Sequence, residues 1–278
     1  MKPIRIAFSG SGFKTPAHVG ALLAVLDAGY TPIEYAGTSG GSIVAALAAS
    51  GHTAAWMQDQ SLYQDWSNML TFSPWSLLTQ MGYCSGSVLL DWLHEATAGA
   101  TFDAMPAALT VMASDIATGR AYEFSREKTP GAPVALAVRA SAAIPLAYAP
   151  VQFEGAYLMD GGLVNNIPAD RLTVDSIPRL GIQLVSQGAP MRAGLQTIFS
   201  ILPRVVDLML SSNESTHVRL SEQLGACICF VETGYASGLD RNMPRDVRER
   251  LLDDGYAAAR LALSQLGGVV VQASEQRP

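Results

Sequence analysis

Three stretches of this sequence carry groups suited to acyl transfer. In Gly37-Thr38-Ser39-Gly40-Gly41 a serine stands in a Gly-x-Ser-x-Gly pattern, between an apolar run starting at Ile33 and an alanine-rich run from Ile43 to Ala49. Strand, tight turn and helix in that order put a serine hydroxyl on strained backbone beside the unpaired N–H groups of a helix start. Gly37 and Gly41 leave room for that turn and for a substrate. Taken alone, the pattern is equally a plain turn in a chain with 25 glycines. In the second stretch, Tyr157-Leu158-Met159 leads into Asp160-Gly161-Gly162. Aspartate beside two glycines is commonly a turn residue. Its apolar approach instead implies a partly buried carboxylate, whose raised pKa makes it a better base than one in water. The third stretch, Gly10-Ser11-Gly12 with Lys14, follows a short apolar run and precedes a helix. Its glycine spacing fits neither a P-loop nor a dinucleotide fingerprint, which leaves a small oxyanion pocket or an ordinary strand-to-helix turn.

A serine hydroxyl is barely ionised at neutral pH and needs a base. The histidines are His18, His52, His94 and His217, and none lies in a loop after a late strand, where a hydrolase histidine would fall. His18, on the first turn of a helix, reads as packing or capping. A Ser39–Asp160 dyad is chemically workable if Asp160 is desolvated and within about 2.6–3.2 Å of the hydroxyl.

The elements that must hold these groups can be read from apolar patterning. Strands are expected at Ile4–Phe8, before Ser39, at Leu109–Ala113, Ala121–Phe124, before Asp160, at Leu180–Val185 and at Ala226–Val231. Helices are expected at Ala17–Ala28, after Ser39, at Val134–Ala143 closed by Pro145, and at Arg245–Leu266. Leu195–Leu210 is amphipathic but interrupted by Pro203, and the tail from Ala273 is polar and expected to fray. From His52 to Gly99 the regular alternation pauses, and Trp56, Trp66, Trp75 and Trp92 all fall there. This reads as an inserted helical cap, its aromatics either core or the lining of an acyl-chain groove or lipid contact. No internal repeat or linker appears, so residues 1–278 are expected to form one domain.

With 49% apolar and only 15% charged residues, the chain can build a sizeable core. A net charge of −6 excludes a nucleic-acid footprint. Cys84, Cys227 and Cys229 make no disulfide framework, which fits a reducing, cytoplasmic setting. Cys227 and Cys229 read as strand packing. The apolar runs reach about eight residues, short of the ~20 that span a bilayer, so membrane contact is expected to be peripheral at most. No cofactor or metal site is expected, and no carboxylate-rich calcium loop appears. Oligomeric state is left open.

Taken together, the blocks resemble the patatin-like phospholipases over most of the chain: Gly10-Ser11-Gly12-Phe13-Lys14 with His18-Val19-Gly20; Gly37-Thr38-Ser39-Gly40-Gly41-Ser42; and Arg139-Ala140-Ser141-Ala142-Ala143-Ile144-Pro145 leading to Asp160-Gly161-Gly162 and Asn165-Asn166-Ile167-Pro168. The resemblance implies a three-layer α/β/α sandwich and a lipid acyl hydrolase of phospholipase A or lysophospholipase type. It further implies a Ser39–Asp160 dyad without catalytic histidine, and an oxyanion hole from the amides of Gly10, Ser11 and Gly12, with Lys14 holding that loop. Transfer of the acyl group to a second lipid, and a catalytically silent lipid-binding module, are the alternatives. The family loop usually runs Gly-Gly-Gly-x-Arg/Lys-Gly; here Ser11 replaces the middle glycine and Thr15 the last. A left-handed φ at Ser11 would cost about 1 kcal/mol or more.

Overall fold

A computed structural model describes residues 2–67, 84–145, 147–186 and 214–275. Part of the expected cap, with Trp75, and the Leu195–Leu210 pattern lie outside the described residues. Eight strands form one sheet: β1 (Lys2–Phe8), β2 (Tyr30–Thr38), β3 (Ala108–Asp115), β4 (Arg120–Ser125), β5 (Val151–Phe153), β6 (Ala156–Asp160), β7 (Arg179–Val185) and β8 (Cys227–Glu232). Their order is β5-β6-β3-β2-β1-β7-β8, with β4 also paired to β3. The β3, β2, β1, β7 and β8 neighbours run parallel, whereas β4, β5 and β6 join antiparallel.

Alternation along β1 explains the layers, because successive strand residues face opposite sides of a sheet. Ile4, Ile6 and Phe8 enter the larger core, while Ala7 enters a smaller one. The larger core is covered by α1 (Thr15–Asp27), α2 (Gly40–Ala49), α5 (Val134–Ser141) and α7 (Arg245–Glu275). Two further helices, α3 (Ala54–Tyr63) and α4 (Ser87–Ala96), sit in the segment expected as a cap and add Met57, Leu89 and Leu93 to the same core. On the opposite face, a 3-10 turn at Pro168–Arg171 and α6 (Glu214–Gln223) close over Ala7, Ala36 and Ala226. Helices on both faces of a mostly parallel sheet give the expected α/β/α sandwich. Cys229 is buried and Cys227 half-buried, both against the larger core as free thiols, as strand packing requires.

Three elements differ from the sequence reading. Strand β5 is only three residues long and α6 is largely polar, so neither carries a readable apolar period. Helix α7 continues to Glu275, past the expected end at Leu266 and through the start of the tail expected to fray.

One strand acts as the ruler for the site. Strand β4 occupies one edge of β3 from Thr110 to Asp115, so β2 and β6 must share the other. Strand β2 ends with Thr38 opposite Met112, and β6 ends with Asp160 opposite the next residue, Ala113. The two strands run at each other along β3 and stop where they meet. Residues 39 and 160, 121 positions apart, are thereby brought to one point.

Candidate active site

Ser39 is the residue between β2 and α2, at φ +52° and ψ −129°. Positive φ in a side-chain-bearing residue is strained and persists only where the surroundings enforce it. Here the enforcement is visible. The Ser39 N–H donates to Ser141 Oγ at 2.8 Å, and the Ser39 carbonyl accepts from the Ser42 hydroxyl at 2.6 Å. Gly41 lies so close to the carbonyls of Phe8 and Ser9 that a Cβ would collide with them, and a Cβ on Gly37 would strike Ser42. Both glycines thus let α2 start directly against the sheet, aiming its positive end at Ser39.

The Ser39 hydroxyl donates to Asp160 Oδ2 at 2.7 Å. The other carboxylate oxygen, Oδ1, accepts the Gly162 N–H at 2.8 Å. Asp160 is fully buried and has no ion pair among the described residues. Burial raises its pKa to about 6, against the opposing pull of the Ser39 and Gly162 hydrogen bonds. At neutral pH it is ionised yet retains appreciable affinity for a proton, as a general base requires. Gly161 is needed for another reason: a Cβ there would meet the Met112 carbonyl at the junction of β6 with β3.

Loop 9–14 completes the site. Its left-handed residue is Gly12, at φ +55°, and Ser11 is not among the residues with positive φ, so the serine carries no left-handed cost. The Gly10 amide, expected as an oxyanion donor, is already committed to the Asn166 carbonyl at 3.0 Å. The amides of Ser11 and Gly12 have no acceptor among the described residues. Gly12 packs against Gly40, whose added Cβ would strike the Gly12 carbonyl. Lys14 is buried, and its ammonium donates to Thr233 Oγ1 at 2.9 Å; Thr233 in turn donates to the Val185 carbonyl. The lysine therefore ties the loop to the ends of β7 and β8.

Two of the four histidines are engaged elsewhere. His18 Nε2 meets the Ser9 carbonyl at 2.8 Å, which requires the Nε2–H tautomer. Burial lowers its pKa to about 3, so it stays neutral and serves as a strut beneath the loop. His52 Nε2 is taken by the Ala96 carbonyl.

Several supporting residues were not singled out by the sequence. Ser141 holds the Ser39 amide, Asn166 holds Gly10, and the Asn165 carbonyl accepts the Thr38 hydroxyl at 2.8 Å. All three lie in blocks that carry the family resemblance, which was the available signal. The buried Arg139 stacks its guanidinium 4.6 Å from the Tyr148 ring and donates to the carbonyls of Ser85 and Ala149. A cleft of about 590 Å³, partly open to solvent, reaches Ser39 and is walled by Phe13, Ile43, Trp66, Leu89 and Tyr148.

The family model for patatin-like phospholipases matches residues 6–173, more than half of the sequence. The chain belongs to the patatin-like phospholipase family. An uncharacterised NTE family protein of Mycobacterium bovis is 27% identical over 170 residues, covering 59% of this chain and 44% of that relative. The chain thus spans less than half the length of this mycobacterial relative. An uncharacterised Bacillus subtilis protein is 23% identical over 284 residues, covering 93% of this chain and 97% of its own length. Among solved structures, VipD from Legionella pneumophila superposes with a TM-score of 0.62 at 14% identity, over 95% of this chain and 67% of VipD. The type III effector ExoU does so with a TM-score of 0.56 at 17% identity, over 95% and 53%. At these identities the two structures establish the family's fold alone.

Proposed function

We propose that this chain is a serine lipid acyl hydrolase, of phospholipase A or lysophospholipase type, working through a Ser39–Asp160 dyad. The observation that carries the reading is the 2.7 Å bond from the Ser39 hydroxyl to a buried carboxylate with a pKa of about 6. Asp160 takes the hydroxyl proton as Ser39 Oγ attacks the ester carbonyl. The tetrahedral oxyanion is met by the Ser11 and Gly12 amides and the start of α2. Asp160 then returns the proton to the departing alcohol. In the second half, Asp160 deprotonates a water that attacks the acyl-enzyme, and it returns that proton to Ser39 Oγ as the fatty acid leaves. The apolar cleft suits an acyl chain, and a lipid substrate brings the protein to a lipid surface as a peripheral visitor. No described helix is long and apolar enough to cross a membrane.

A panel of phospholipids, lysophospholipids and neutral esters, with products identified, tests the reading. Wild type should release fatty acid from at least one class, and Ser39→Ala should reduce that release by about 10⁴-fold or more. Near-wild-type turnover by Ser39→Ala would refute it. Adding a lipid or alcohol acceptor to the same assay separates hydrolysis from acyl transfer.

A further inference from the structure

Two cavities adjoin at Ser39's side of the sheet, the first almost wholly apolar. One is the cleft already described, which includes Ser39, Gly12 and Phe13 in its wall. The second, about 270 Å³ counting the part open to solvent, lies between α1, α2 and α3, walled by Val44, Leu47, Met57 and Trp92 and by the polar Gln60 and Ser61. Three residues wall both: Thr15, Ile43 and Trp66. Trp66 is buried, 7% exposed, with its ring 6.3 Å from Phe13 on the side of the first cleft and 5.4 Å from Trp92 on the side of the second. Thr15, 6% exposed, opens α1.

We propose that Thr15 and Trp66 form a neck between the two cavities and that this neck sets the acyl-chain length the site accepts. The inference rests on the lipid hydrolase reading. An acyl chain whose carbonyl sits at Ser39 extends into the first cleft, each methylene gaining about fourfold in affinity as it leaves water. That gain stops where the chain meets the indole and the threonine methyl. Longer chains must turn back toward solvent, so chain length ceases to help. Removing either side chain joins the second cavity to the first and gives the chain room for a further methylene or two along a largely apolar path.

The test compares kcat/KM across p-nitrophenyl esters from butyrate to palmitate in wild type, Thr15→Gly, Trp66→Ala and Trp66→Phe. Wild type should rise with length and then level off. In Thr15→Gly and Trp66→Ala the levelling point should move to longer esters, the long-to-short ratio growing roughly fourfold for each methylene newly admitted. Trp66→Phe should move it less. A levelling point shared by wild type, Thr15→Gly and Trp66→Ala would overturn the neck. Should Trp66→Ala fail to fold, Thr15→Gly decides alone. Should wild type cleave no ester at all, the hydrolase reading falls, and displacement of cis-parinaric acid by fatty acids of increasing length takes over as the readout. A break in affinity that Thr15→Gly shifts upholds the neck; an unshifted break refutes it.

Discussion

Strands β1 and β2 carry one kind of chemistry at their middles and the opposite kind where they end. Midway along them, Arg5 and Glu34 are register partners, and Arg5 Nε lies 2.5 Å from Glu34 Oε2. The Arg5 guanidinium also grips both oxygens of Asp175, one of them at 2.7 Å. Glu34 further accepts the Thr173 N–H at 3.0 Å. Both carboxylates here lie against the Arg5 cation, and Asp175 has its pKa held below the usual carboxylate range chiefly by Arg5. Where the strands end, Asp160 is fully buried with no cation against it among the described residues, and its pKa moves the opposite way. The same site holds a residue at φ +52° and two amides without acceptors among the described residues. Pairing a carboxylate stabilises its charge and removes its basicity; leaving it buried and unpaired preserves basicity at a cost in stability. One sheet thus separates the two tasks by about half a strand.

This contrast can be broken from either end, beginning with its most sensitive member. Asp160→Asn should lower ester hydrolysis by about 10³–10⁴-fold, since the amide cannot take the Ser39 proton. The same variant should be more stable than wild type above pH 6. A buried aspartate with a raised pKa favours folding most when protonated, below its unfolded pKa near 3.8, and that contribution is lost as pH rises through about 6. The Asn variant should therefore gain on the order of 2–3 kcal/mol at pH 8 and little or nothing at pH 3.5, as followed by urea unfolding. A variant less stable than wild type at pH 8 would contradict the account of a costly carboxylate.

At the paired site the signs reverse. Arg5→Met leaves Glu34 and Asp175 facing each other and should cost about 1–3 kcal/mol, less than a fully buried pair because Asp175 is 40% exposed. Its kcat/KM should stay near wild type at temperatures where the protein is folded. A large loss of kcat/KM with unchanged stability would show that the two sites are not separate.

A smaller effect concerns His18. Its folded pKa of about 3 lies below the usual histidine value near 6.5, so its contribution is present above pH 6.5 and drains as pH falls toward 3. His18→Gln, whose amide can still donate to the Ser9 carbonyl, should flatten the loss of stability between pH 6.5 and 4. An unchanged slope in urea titrations would rule His18 out as its source.

How legible this was differs along the chain. The serine turn and the Asp-Gly-Gly loop could be read because their chemistry is local: glycines where backbones collide, an apolar strand leading in. Their meeting could be inferred only from resemblance. It depends on β6 running antiparallel into the space that β2 vacates along β3, and no local pattern encodes that register. The oxyanion loop was half legible. Its glycines mark the turn, but the assignment of the Gly10 amide to Asn166, and of the left-handed residue to Gly12 rather than Ser11, comes from contacts more than 150 residues away or from the turn's own closure. Ser141 stayed unassigned because a buried serine in an alanine-rich helix looks like packing until its partner is known.

The claim on which the rest depends is that Asp160 activates Ser39. Fluorophosphonate labelling reads it without any choice of lipid: the rate of Ser39 modification is measured from pH 4 to 9 in wild type and Asp160→Asn. The account predicts a wild-type rate that rises through a single ionisation near pH 6 and then levels, and a slow, pH-independent rate in the variant. Labelling of the two proteins at equal rates across that range would contradict it.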